Sequence, residues 1–162
     1  MRTVQCEEMT APDSELRLTE VEQYLRQRHS MVLATQLDGE VRASTACFAL
    51  GDSMMLYSFV FRDSVKHRGI VQSRQVAVVI DDGFLVPMRG VEMLGRAEIV
   101  TGAEQRRGRE LLTQRFHDLS SAWDDPRILI VRFIPDRVRF TDWTHGVGHS
   151  REASVPPRAA AS

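Results

Sequence analysis

Residues 31–50 read Met31-Val32-Leu33-Ala34-Thr35-Gln36-Leu37-Asp38-Gly39-Glu40-Val41-Arg42-Ala43-Ser44-Thr45-Ala46-Cys47-Phe48-Ala49-Leu50, and the fold turns on how this stretch divides. Met31 to Thr35 is a short apolar strand. Asp38-Gly39 is a strong hairpin signal, because both residues tolerate the positive φ of the tight turns that match strand twist. Val41 to Leu50 is then a second strand, and Gly51-Asp52 marks a turn before a third, Met54 to Val60. Three strands with tight connections predict an antiparallel meander.

Working outward, the period changes on both sides. Leu18, Val21, Tyr24 and Leu25 fall on one helical face, which predicts a helix over Ser14 to Arg28 with Ser14 or Thr19 as cap. Asp63 or Ser64 caps a short helix, Val65 to Ser73. Val76 to Ile80 is a β-branched strand closed by Asp81-Asp82-Gly83, an acidic pair that reads as a turn rather than a metal site. Val91, Met93, Gly95, Ala97 and Ile99 alternate with Glu92, Leu94, Arg96 and Glu98, a long half-buried strand. Ala103 to Leu119 reads as helix. Ile128 to Ile134 and Val138 to Asp142 read as two strands around a Pro135-Asp136 turn. Six or seven strands and about three helices make a mainly β fold, a small antiparallel barrel with peripheral helices. A Rossmann sheet is disfavoured: no G-x-G-x-x-G follows the first strand, and the early strands lack crossover helices.

Composition bounds the rest. The 162 residues suit one domain, 14–152, with a flexible arm at 1–13 and a disordered tail at 153–162 rich in small residues and proline. The 21 basic and 22 acidic residues nearly cancel, so no nucleic-acid footprint is expected. No run of about 18 apolar residues predicts a membrane span. Acids at Glu7 and Glu8 and no apolar signal core, with Cys6 and Cys47 in no framework or ligand spacing, lead to a reduced cytoplasmic protein as the expectation. Of the 21 basic residues 20 are arginine and one, Lys66, is lysine. Codon bias explains the arginines but not the ammonium kept at 66.

Three segments carry candidate chemistry. Tyr57-Ser58-Phe59-Val60-Phe61-Arg62-Asp63-Ser64-Val65-Lys66-His67-Arg68 ends a strand and begins a helix, where free N–H groups with Ser64, Lys66 and Arg68 could meet a phosphate. Taken alone it reads more readily as a capped surface helix with solvated charges. Ala43-Ser44-Thr45-Ala46 puts small and hydroxyl residues mid-strand, either to line a ligand or to let a barrel close. Arg89-Gly90-Val91 enters the long strand, where Gly90 permits close backbone approach and Arg89 serves an anion, a subunit contact or merely solvent. After the last strand come Trp143, His145, Gly146, Gly148, His149 and Arg151, an aromatic and a glycine segment suited to covering a flat ligand. The glycines argue against a helical zinc pair of His145 and His149, and no hydrolase or P-loop motif occurs.

The order of these parts resembles the FMN-binding split barrel of the pyridoxamine 5′-phosphate oxidase-like superfamily over about residues 20–151. Arg89-Gly90-Val91 and Phe140-Thr141-Asp142 with Gly146-Val147-Gly148 are most similar to a small bacterial subgroup. The resemblance implies a split barrel and a homodimer with FMN at the subunit interface. It implies that Ser64 and Lys66 hold the phosphate, that Ser44, Thr45 and Ala46 line the flavin, and that Tyr57 and Ser58 face ribityl or ring. Gly90 stands beside Arg89 where the oxidase sends a side chain to its partner's flavin. Trp143 and Arg151 are loose equivalents of the oxidase's C-terminal tryptophan and arginine, and Gly146 to His149 would shape the mouth. The oxidase's substrate-binding Arg-x-His pattern is not recognisable, so the implied activity is a flavin-dependent oxidoreductase on an unspecified small molecule. A deazaflavin is an alternative. So is a non-catalytic haem protein on the same scaffold, with His67, His145 or His149 as axial ligand.

Overall fold

The computed structural model describes residues 15–83 and 87–157. Residues 1–13 and the end of the tail, 158–162, lie outside them. Helix α1 (Leu18–Arg26) turns Val21, Tyr24 and Leu25 into the core, as the periodicity requires, but begins after Arg17 with no side-chain cap, so Thr19 is inside the helix rather than ahead of it. Strands β1 (Ser30–Leu37) and β2 (Glu40–Cys47) form the expected hairpin, with Asp38 at φ 54° and Gly39 at φ 82° in its turn.

The expected meander does not continue. Phe48, fully buried, separates β2 from a two-residue strand, β3 (Ala49–Leu50), which pairs with β4 (Leu56–Phe61). Helix α2 (Val65–Gln72) leads to β5 (Gln75–Asp81) and β6 (Arg89–Ile99). The sheet order is β2-β1-β5-β6-β7-β4-β3, all antiparallel where register is defined, with β7 spanning Ile128–Asp142. β2 and β3 are therefore the two ends of the sheet, yet only Phe48 lies between them. One continuous segment joins both edges, and the sheet curls into a split barrel around that corner. The sequence stretch that suggested a meander is the seam of the barrel.

β7 is one strand, not two around a turn. Pro135 and Asp136 form a bulge: Leu94 pairs with Arg137 and Gly95 with Pro135, so Asp136 is the extra residue. Proline is tolerated at a bulge because the ladder there lacks the hydrogen bond its nitrogen cannot donate. The tail boundary also moves. β8 (Ser150–Ser154) pairs with β7, and Val155, buried with its N–H donating to the Asp136 carbonyl, joins the barrel core. Small residues there suit strand pairing on the second edge of β7, which long-range contacts decide and composition does not.

Helix α3 (Gly102–Arg115) covers a second apolar cluster on the outside of the barrel, around Tyr57, Leu112 and Ile130. Its approach depends on Gly108, where an added Cβ would lie 2.6 Å from Ile130 Cγ2 and 2.9 Å from Tyr57 Cδ1. Gly108→Ala is expected to destabilise the fold by about 1–2 kcal/mol, since overpacking outweighs the ~1 kcal/mol that alanine gains in helix propensity. A rise in urea midpoint would contradict this packing.

Candidate functional site

The end of β4, the start of α2 and the end of β2 enclose a cleft of about 630 Å³. The turn into α2 is built locally. Asp63 takes φ 62°, and its N–H donates to His67 Nδ1 at 3.0 Å, while His67 N–H donates to Ser64 Oγ at 3.2 Å. This reciprocal arrangement resembles a capping box, with histidine in place of the usual Glu or Gln. It fixes Ser64 as the cap and leaves the first-turn N–H groups of Val65 and Lys66 at the positive end of the helix dipole.

Lys66 reaches from α2 across to β2, where its Nζ donates to the Thr45 carbonyl at 3.0 Å. Burial pushes its ammonium below the ordinary lysine range, partly offset by the nearby Cys47. Burial likewise pushes the Cys47 thiol up, with Lys66 acting the other way. A half-buried ammonium with one carbonyl partner still has donors free for an anion.

The cleft brings together five of the residues singled out in the sequence: Ser44, Thr45, Ala46, Ser64 and Lys66. Ser30, Cys47, Phe59, Val60, Phe61 and Val65 also line it; three consecutive residues at the end of β4 do so, a pattern that alternation does not single out. Tyr57 and Ser58 are not in its wall. Tyr57 shares a strand face with Phe59 and Phe61, but α3 covers it. Its hydroxyl donates to Glu104, which pairs with Arg132, and burial with that carboxylate pushes its pKa up to about 12. Ser58 is buried and donates to the Cys47 carbonyl at 2.7 Å, holding the end of β2 in place. His67 is occupied in the turn.

Arg89, Gly90, Trp143 and His149 gather elsewhere in the chain. Arg89 Nε donates to Asp142 Oδ2 at 3.1 Å. Asp142 is buried; desolvation opposes its ionisation, but bonds from Thr144 and the Arg89 guanidinium prevail and its carboxyl lies below the usual range. The Tyr24 hydroxyl, with one proton to give, stands 3.1 Å from Asp82 Oδ1 and 2.9 Å from the Arg89 carbonyl, beneath the Arg28 guanidinium 4.1 Å from its ring centroid. Gly90 packs its backbone on Asp81, Trp143 N–H donates to the Met88 carbonyl, and the His149 carbonyl accepts from Asp142 N–H. The His145 and His149 rings stand 5.4 Å apart. Arg68 is exposed on α2, and Arg151 bonds Glu20 at 2.6 Å. Among the described residues no three His, Cys, Asp or Glu could share a metal, and no helix is long and apolar enough to cross a membrane.

The structure is an antiparallel split barrel whose cleft, at a strand-to-helix junction, has a largely apolar wall and one lysine. The chain belongs to the pyridoxamine 5′-phosphate oxidase family, whose profile matches residues 18–142. No curated protein sequence matches it. Among solved structures, a haem-binding protein from Mycobacterium smegmatis superposes with TM-score 0.69 at 17% identity, covering 78% of this chain. This chain spans about half, 53%, of that protein's length. An FAD-binding protein from Mesorhizobium loti gives TM-score 0.64 at 20% identity, over 76% of this chain and 90% of that one. HutZ, a haem storage protein from Vibrio cholerae, gives 0.68 at 16%, over 83% and 100%. At these identities the likeness is one of fold.

Proposed function

We propose that the chain binds FMN in the β2–β4–α2 cleft, as a homodimer, and serves as a flavin-dependent oxidoreductase on a small molecule. One observation carries the reading: Ser64, Val65 and Lys66, from the N-terminal start of α2, line the same cleft as the small-residue run Ser44-Thr45-Ala46. FMN is a phosphate tied to a flat ring, and this donor set with a thin wall suits both ends. Bound flavin would supply hydride chemistry; the chain's own residues would neutralise the phosphate, hold the ring edge against β2 and exclude water with Phe59 and Val60. Family membership supports the cofactor, as does the flavin carried by the M. loti protein.

The dimer is supported by β2, exposed along residues 40–45, and by Val32, Val41 and Val79, which are 38%, 75% and 39% exposed on the same hairpin and its neighbour. Apolar surface of that kind marks a contact face. Arg89 and the 143–149 segment, absent from this chain's own cleft, would then act in trans.

A haem reading draws on the M. smegmatis and V. cholerae proteins. It is weaker here, because His67 Nδ1 is taken up by the Asp63 N–H and none of His67, His145 and His149 lines the cleft. The test is the spectrum and extracted cofactor mass of the purified protein, with FMN titration followed by flavin fluorescence. A flavin doublet and a dimer by light scattering are expected. A Soret band would favour haem, a deazaflavin mass would replace FMN, and a colourless protein that ignores FMN would falsify the reading.

A further inference from the structure

We propose that Phe61 and Arg127 form a stacking platform at the mouth of the cleft for an adenylate group, so that the site accepts a dinucleotide rather than a mononucleotide alone. The proposal rests on the flavin reading above. Phe61 is the last residue of β4, lines the cleft and is 47% exposed. Three residues on, Ser64 donates its N–H to the Phe61 carbonyl at 3.1 Å, and both residues line the same cleft, so the proposed phosphate anchor and the ring share one end of β4. In a dinucleotide the second half leaves from that phosphate, and it must emerge here.

Arg127 is placed over this ring, with Cζ 6.0 Å from the centroid. Its backbone is locked to β4, because Arg62 N–H donates to the Arg127 carbonyl at 2.7 Å. The side chain is 72% exposed, yet Asp125 holds it through three hydrogen bonds, one from Nη2 and two from Nε, at 2.7–3.2 Å, and accepts a fourth from the Arg127 backbone N–H. Those bonds hold the Asp125 carboxyl down at about 2, so the pair stays ionised at working pH. An exposed arginine ordinarily wanders; this one is a fixed planar plate whose charge is already met. It is poorly suited to a phosphate and well suited to a purine face, with its side-chain entropy lost in advance. Phe61 is buttressed from below by an edge-to-face row, Phe59 at 6.1 Å and Trp123 at 6.0 Å from Phe59. Base stacking needs such a rigid face and reads any purine.

The adenylate could belong to FAD itself or to a nicotinamide dinucleotide donor. Titrations of FMN, FAD, NADH and AMP against the full chain, Phe61→Ala and Arg127→Ala separate these. FAD is expected to bind about tenfold tighter than FMN, in line with one stacked base; each variant should erase that margin, and Arg127→Ala, outside the cleft wall, should leave FMN affinity unchanged. If FAD shows no margin but NADH binds the FMN-loaded protein only with Phe61 and Arg127 intact, the platform stands and serves the donor. Equal FMN and FAD affinities with NADH and AMP indifferent to both variants would overturn it. So would equal losses of FMN and FAD in Phe61→Ala, which make Phe61 part of the ring wall, or a change of oligomeric state, which makes it a subunit contact. If no flavin binds, the cofactor reading has failed, and AMP alone decides: Phe61-dependent AMP binding keeps the platform, and none removes it.

Discussion

Gly95→Ala is expected to cost about 3 kcal/mol of folding stability, the upper end for overpacking in a fixed environment, and to lower the thermal midpoint by roughly 10 °C. A Cβ at Gly95 would lie 2.1 Å from the Ile134 carbonyl oxygen and 2.9 Å from Pro135 Cα. Both are backbone atoms of β7 at the bulge, so neither can swing aside. Relief requires β6 and β7 to part, and that pair is continuous from Arg89–Asp142 to Ile99–Val131. Gly90 provides the control on the same strand. Its added Cβ would meet Asp81 Cβ at 3.2 Å and the Ile80 carbonyl at 3.4 Å. A shift of a few tenths of an ångström relieves that, and Gly90→Ala should cost less than about 1 kcal/mol. Thermal melts of the two variants side by side check the difference, and equal midpoints would contradict the close approach at the bulge.

That contrast also marks where sequence reading reached its limit. Period-two alternation from Val91 to Ile99 made β6 legible, because one face of the strand packs on the core. Nothing local distinguishes a turn at Pro135-Asp136 from a bulge; both accommodate proline, and only pairing with β6, some forty residues earlier in the chain, decides. The same holds at Phe48. Its backbone breaks a strand that reads as continuous from Val41 to Leu50, since the two halves pair with different strands, β1 and β4. β8 escaped because its pairing partner, not its composition, orders it. Short-range signals fared better: the Asp38-Gly39 hairpin and the Ser64 cap were legible from residue chemistry within four positions.

In the cleft, legibility followed the same division. Ser64 and Lys66 could be named because a cap and a nearby cation are local features. Ser44 to Ala46 could be named because hydroxyl and small residues are unusual mid-strand. Tyr57 and Ser58 do not line the cleft, and alternation could not show this, because it gives a side chain's face but not what covers it. α3 covers Tyr57 through Gly108, forty-five residues downstream of Asp63 and outside any local window. Arg89 and Gly90 stand outside the cleft, and if the proposed dimer completes the site with a second copy, one chain's spacing carries no signature of it.

Lys66→Ala is expected to weaken FMN binding by roughly 10- to 150-fold, the equivalent of a charge-assisted bond of about 1.5–3 kcal/mol, while the unliganded fold holds its stability within about 0.5 kcal/mol. The two halves of that expectation have one cause. Burial disfavours the Lys66 ammonium in the free protein and lowers its pKa, a cost the Thr45 carbonyl offsets in part and a bound anion would offset further. Removing it relieves the free state slightly and deprives the bound state of its counter-charge. Lys66→Arg should recover only part of the affinity, because a planar guanidinium fits less well than a compact ammonium that already bonds the Thr45 carbonyl. The pH dependence follows with a definite sign. Between the lowered folded-state pKa and the ordinary 10.5, the unfolded chain binds more protons at residue 66 than the folded one. The unliganded protein therefore gains stability as pH rises through that window. A bound phosphate pushes the pKa back up, so FMN binding there should take up a proton and weaken as pH rises. Calorimetric titration in two buffers of different ionisation enthalpy, on the native protein and on Lys66→Ala, reads both effects. Proton uptake that persists in Lys66→Ala, or an undiminished affinity, would assign the phosphate to some other group than the chain's one lysine.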